Sequence, residues 1–197
     1  VYYFNAKAYM LDPAVSDISA GTSVAIGIGT LVIGWFSYDF LCRTSLLQKK
    51  KTFALIGFAI ITLIGYILTH LLSGRAAFMH VGALIGTIMV GNVFFTIIPS
   101  QKAMVRAAKK GLPLNPELGK YAGLRSLHNN YMTLPVIYVM ISNHFPATFG
   151  SSFNWIVLAV LTLASVAVRH FINLHEQGRH AKWMIPFAAI ALISLVI

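Results

Sequence analysis

The stretch "GRAAFMHVGALIGTIMVGNVFFTIIPSQ", residues 74–101, is apolar or small almost throughout, yet it carries His80, Thr87 and Asn92. A spanning helix needs about 20 mostly apolar residues, so the segment predicts a helix at membrane depth. An imidazole inside it needs a partner, because ionisable groups within a bilayer are costly and usually face the bundle interior.

The rest of the chain agrees. Of 197 residues, 57% are hydrophobic and only 10% charged, with a mean hydropathy of +0.75; a soluble domain carries about a quarter charged residues. Six apolar blocks, at about 21–41, 53–72, 76–98, 124–145, 153–171 and 183–197, predict an all-α polytopic transmembrane helix bundle forming one domain over residues 1–197. The opening "VYYFNAKAYMLDP" is neither a signal peptide nor a full span. It reads as the end of a longer element, so a larger bundle is expected.

The formal charge of +10 invites a nucleic-acid reading until the basic residues are placed. Arg43 and Lys49–Lys51 lie between the first and second blocks. Lys102, Arg106, Lys109, Lys110, Lys120 and Arg125 lie between the third and fourth, and Arg169, Arg179 and Lys182 between the fifth and sixth. Only Lys7 and Arg75 fall on the alternate side. Basic loops stay in the cytoplasm, which predicts both chain ends on the outer side, anionic lipid at the inner loops and no nucleic acid. Lys102, Arg106 and Lys109 or Lys110 recur at helical spacing and predict a short basic helix, ended by Gly111 and Pro113. Pro116 suits the start of the next helix.

Cys42 is alone, so no disulfide and no paired-cysteine metal site forms within the chain. No Cys-x-x-Cys-His, Walker loop or Ser/His/Asp set is present. Asp39 and Arg43, four residues apart, are expected to pair at the surface.

The seven histidines sort by depth. His170, His175 and His180 fall in an inner loop, where steps of five residues turn a helix by about 140°; they read as solvated interface residues. His128 sits near the inner end of the fourth block beside Arg125, Asn129 and Asn130, a cluster able to bind an anion or a haem propionate, or simply to satisfy itself. His70, His80 and His144 share the outer half, with His80 about 6 Å inside its span. Two imidazoles on different helices can hold haem b, and His80, Ala83, Thr87, Gly91 and Phe94 follow one helical stripe. A copper or zinc site on His80 and His144 lacks a carboxylate or thiolate in that half to complete it, so haem is favoured. His128 and His144 stand about 24 Å apart in rise and about 160° in rotation. Pro135 is expected to kink the helix between them.

Three motifs, "GWFSYDFLCR", "SGRAAFMHVGALIGTIMVGNVFFTIIPSQ" and "GLRSLHNNYMTLPVIYVMISNHFP", resemble the N-terminal membrane domain of the membrane-bound, cytochrome-c-linked bacterial urate oxidases (urate hydroxylases). The similarity covers Val1 to about Gly178. It implies a multi-span domain of the bacterial inner membrane, followed by a c-type cytochrome domain outside it, with electrons passing from urate to that cytochrome and a respiratory oxidase. Arg75, His80, Asn92, Pro99, Arg125, His128, Asn129, Pro135, Asn143 and His144 lie in the family-like motifs. Family members usually carry further spans before the position of Val1 and a haem-attachment motif afterwards; neither is present here.

The leading expectation is therefore an oxidoreductase domain with haem b held by His80, His144, His128 or His70, and a purine anion held by Arg125 or Arg75. The c-type haem is expected on a partner or a further domain. The alternatives are a non-catalytic haem-binding or structural subunit of a respiratory or photosynthetic complex, and a transporter or scaffold whose histidines line a polar cavity.

Overall fold

A computed structural model describes residues 2–179 and 183–193. Its described residues are helical, without strands. After the short α1 (Ala6–Tyr9) come α2 (Ala20–Arg43), a 3-10 turn (Ser45–Gln48), α3 (Lys50–Thr69), α4 (Gly74–Asn92), α5 (Ile98–Lys109), α6 (Pro116–Ser142), the short α7 (Pro146–Phe149), α8 (Asn154–Glu176) and α9 (Met184–Ile193).

Local chemistry sets the boundaries. Ser19 and Ser73 cap α2 and α4, their hydroxyls accepting from the amides of Thr22 and Ala76 at 3.0 and 3.3 Å. α4 runs into α5 through a wide π turn at Val93–Ile97. Pro99 follows that turn; it has no N–H to offer the ladder and its ring crowds the preceding carbonyls, which accounts for the irregularity there. The basic helix expected at residues 102–110 is thus the final two turns of a 36-residue rod, Gly74–Lys109. It closes at Gly111, whose φ of +65° suits a residue without a side chain. Asn115 caps α6 through the Glu117 amide at 3.0 Å, with Pro116 in the first turn.

α4 is the central helix, packed on α2, α3 and α6; α6 also packs on α8, and α8 on α3 and α9. Phe78, Val81 and Ile85 of α4 meet Val139 of α6 and Leu158 of α8 in the core. At one end the N-terminal segment lies across the α3–α4 turn. There the Met10 carbonyl accepts from the Ser73 amide at 2.9 Å, and the Ser16 hydroxyl donates to the Leu71 carbonyl at 2.7 Å.

Four helical stretches among the described residues are long and apolar enough to cross a membrane: Ala20–Arg43, Lys50–Thr69, Gly74–Lys109 and Asn154–Glu176. Their outer faces carry Ile33, Phe36, Leu55, Phe94 and Phe95, all well exposed. Such a surface is compatible with a lipid environment. The six spans expected from the sequence reduce to four on this measure. α6 is long enough but polar in its first half, and the block at 183–197 extends past the described residues.

Candidate functional site

Arg125, on α6, is wholly buried and is the largest side chain to be so. A buried guanidinium must spend its donors. Nη1 donates to Asn92 Oδ1 on α4 at 3.0 Å, and Nη2 donates to Asp39 Oδ1 on α2 and to the Tyr121 hydroxyl. The rings of Tyr38 and Tyr121 both lie 5.1 Å from its Cζ, so the cation also meets two aromatic faces. Its Nε is the guanidinium nitrogen left without a partner among the described residues.

The network continues from Asn92. Its Nδ2 donates to the Tyr38 hydroxyl at 2.9 Å and to Asn129 Oδ1 at 2.8 Å, while Asn129 Nδ2 donates to the Met89 carbonyl at 2.9 Å. The Tyr38 hydroxyl, which accepts from Asn92, also pairs with His128 Nδ1, 2.9 Å away. Phe53 of α3 stacks on the imidazole at 4.6 Å. α2, α3, α4 and α6 are tied together at one depth.

Asp39 is shared. Oδ2 accepts from Arg43 Nε at 2.8 Å, as the spacing of four predicted, while Oδ1 turns inward to Arg125. The expected surface pair is thus half of a bridge between an exposed and a buried arginine. A second polar layer faces α8: Asn130 Oδ1 accepts from Arg169 Nε at 3.0 Å and Asn173 Nδ2 at 2.7 Å, and Tyr131 pairs with His170 Nδ1 at 2.5 Å. His170 and His175 therefore belong to α8 and not to a loop. His180 lies outside the described residues.

The imidazoles of the other half do not close on one another. His80 is buried; its Nδ1 donates to the Ala76 carbonyl at 2.7 Å, leaving an Nε2 lone pair that accepts from the Tyr3 hydroxyl at 3.1 Å. Burial pushes the Tyr3 phenol up, so it stays a donor. α2 closes over the same nitrogen: a β-carbon at Gly27 would collide with the His80 and Tyr3 rings. His70 and His144 are exposed, each at the C-terminal end of its helix, α3 and α6. His70 Nδ1 donates to the Tyr66 carbonyl at 2.7 Å, which leaves its Nε2 lone pair outward.

These facts test the haem that the family resemblance implies. His80 does not fit as arranged, because Tyr3 and α2 occupy the space an iron would need. His128 is half-buried and already engaged, with Nδ1 on the Tyr38 hydroxyl and Phe53 stacked on one face of its ring. His70 does fit, with Nδ1–H fixed on the Tyr66 carbonyl and Nε2 free to bind, as in many metal-binding histidines. His144 is exposed, and no described residue pairs with its ring to fix a tautomer. Among the described residues no three His, Cys, Asp or Glu side chains converge as a metal-binding set. Arg75 is exposed in the first turn of α4. It stands about 26 Å along the helix from Asn92 at 1.5 Å per residue, so Arg75 and Arg125 do not share a site. Asn143, flagged in the same motif, donates Nδ2 to Met79 Sδ at 2.8 Å, and its Oδ1 is buried without a partner.

Tyr38, Phe53 and Tyr121 were not singled out in the sequence. Asp39 carried a usable signal: an acid near the end of an apolar span needs a cation nearby, and a single i+4 arginine leaves its second oxygen unassigned.

The family model described as urate oxidase N-terminal matches residues 1–197. No curated protein and no solved structure matches the chain.

Proposed function

Because the chain belongs to the urate oxidase N-terminal family, we propose that it is the membrane domain of a urate-oxidising enzyme that passes electrons to a c-type cytochrome and the respiratory chain. The observation that carries this reading is Arg125. It is a buried cation between two aromatic faces, with its Nε unpartnered and a carboxylate counter-ion that has a second arginine to fall back on.

Urate at neutral pH is a planar anion with carbonyl oxygens and ring nitrogens. Fork-shaped guanidinium donors suit such an acceptor edge, and the Tyr38 and Tyr121 faces suit a flat ring. Substrate would take the place of Asp39 on Arg125, with Asp39 remaining on Arg43. Asn92, whose Nδ2 protons are given to Tyr38 and Asn129, would hold the guanidinium in place through Oδ1, and the Tyr38–His128 pair would accept a proton released as the purine is oxidised. Haem b, held through His70 or His144, would supply a one-electron relay when bound.

The test is urate-dependent reduction of added cytochrome c by membranes containing the full-length protein. Arg125→Lys keeps the charge but loses the fork, and is expected to lower kcat/KM by about tenfold or more, the cost of a hydrogen bond to a charged group. An unchanged rate removes Arg125 from the substrate site. A reduced-minus-oxidised spectrum with no b-type α-band removes the haem.

A second reading, a non-catalytic or structural subunit of a respiratory or photosynthetic assembly, is favoured by one feature. The Arg125 cluster spends nearly all its donors and acceptors internally, as a device joining four helices would. Urate-independent behaviour of Arg125 variants, with loss of assembly alone, selects it.

A further inference from the structure

α2 and α3 meet at the 3-10 turn and scarcely touch along their lengths, since each packs on α4 instead. Between them runs a groove of about 580 Å3. Ile26 and Ile33 of α2 face Ile60 and Ile64 of α3 across it, over a floor of Leu84 and Ile88 from α4. Gly29 and Gly57 widen the walls, as a β-carbon on either would meet nothing within 4 Å. Along α2 the groove extends from Thr22 to Leu41, about 28 Å at 1.5 Å per residue. The Tyr38–Phe53 contact separates its end from the Arg125 network.

Charge is concentrated at that same end. Lys49, Lys50 and Lys51 follow the 3-10 turn beside Leu46, which lines the groove; they are exposed and make no ion pair with a described residue. Arg43, by contrast, is committed to Asp39. No acidic residue lies between Asp39 and Glu117 to neutralise the lysines. An apolar channel with an uncompensated triple cation at its mouth is complementary to one kind of molecule: an apolar chain ending in a negative head group.

We propose that the α2–α3 groove is a specific site for one anionic phospholipid, its acyl chains lying against Ile33, Gly57 and Ile60 and its phosphate held by Lys49–Lys51. A leaflet is about 15 Å deep, so the chains fill the half of the groove nearest the lysines. A transmembrane helix would need the whole length and has no use for the cations, and a quinone carries no charge for them to meet. The site is independent of the urate reading.

The experiment is native mass spectrometry of the full chain released from nanodiscs of equal parts phosphatidylglycerol and phosphatidylcholine. The wild type is expected to retain one phosphatidylglycerol. Gly57→Leu places a side chain in open space, so it fills the groove without disturbing packing, and is expected to lose the lipid while keeping its helicity and thermal transition. Gly29→Leu, farther from the lysines, is expected to have the smaller effect. Replacing Lys49, Lys50 and Lys51 with Gln is expected to lower the preference for phosphatidylglycerol by about fivefold per lysine removed. Retention of the lipid by Gly57→Leu, equal retention of the two lipids by the wild type, or recovery of a quinone or a second protein in the groove overturns the proposal.

Discussion

Removing the guanidinium of Arg125 leaves Asn92 Oδ1 and one oxygen of Asp39 without donors, in a place where water is scarce. Truncating one partner of a buried ion pair costs about 3–5 kcal/mol. Asp39 keeps Arg43, so Arg125→Met is expected toward the lower end of that range, read as a fall in the thermal transition of the detergent-solubilised protein. Asp39→Asn combined with Arg125→Met should cost less than the two singly added, because the pair is removed together. Full additivity would show that the two side chains do not depend on each other.

Tyr3 offers a second test at this scale. Tyr3→Phe removes the cap on His80 Nε2 and is expected to cost about 0.5–1.5 kcal/mol, the net worth of one hydrogen bond. The loss is read as a fall in the thermal transition of the detergent-solubilised protein. Since burial raises the phenol, the Tyr3 contribution is present in full below pH 10 and is lost as the pH rises through the raised value.

Between helices, backbone proximity decides what a side chain can do. A β-carbon at Gly74 would run into the Phe149 carbonyl of α7 and approach Asn154 Nδ2 at 3.1 Å. A carbonyl in a turn cannot rotate away, so Gly74→Ala is expected to destabilise by about 1–3 kcal/mol, as overpacking does. Gly29→Ala, in open space on α2, should instead stabilise by about 0.5–1 kcal/mol through helix propensity. Opposite signs for the same chemical change, measured by unfolding in one detergent, check the packing; equal signs refute it. The elements were largely legible in the sequence for the same local reasons. The apolar run at 76–98, the Lys102–Lys109 spacing and Pro116 marked α4, α5 and the start of α6, because each signal acts along a single helix. What hydropathy misread was α6, which begins at Pro116 and not near residue 124: its first turns carry Lys120 and Arg125, whose burial depends on Asp39 and Asn92 from distant helices. The same holds for Tyr3 on His80, a contact across 77 residues with no local signature. Long-range polar pairs are invisible to periodicity, and they make up most of the candidate site.

At the scale of the molecule, the hairpins sort the charges. The α2–α3 connection and the α5–α6 connection leave the same end of the bundle, because α4 and α5 form one rod packed between α2, α3 and α6. The N-terminal segment and the α3–α4 turn are tied together at the opposite end. Since basic connections remain in the cytoplasm, the two ends should differ in access from outside the cell. Cys42 is buried, and Cys42→Ser gives a background for placing single thiols. Thiols at Lys50→Cys and Lys109→Cys are expected to resist a membrane-impermeant maleimide in intact cells and to react after permeabilisation. Arg75→Cys and Phe145→Cys should react without it. Reversal of all four would leave the bundle intact but invert it, a result that would contradict the charge argument alone. Labelling of Lys50→Cys and Lys109→Cys from opposite sides would mean that α2–α3 and α4–α5 do not cross as paired hairpins. In that case the polar first half of α6, with Arg125 at its centre, could not sit inside a membrane bundle at the depth the Arg125–Asp39–Asn92 contacts require.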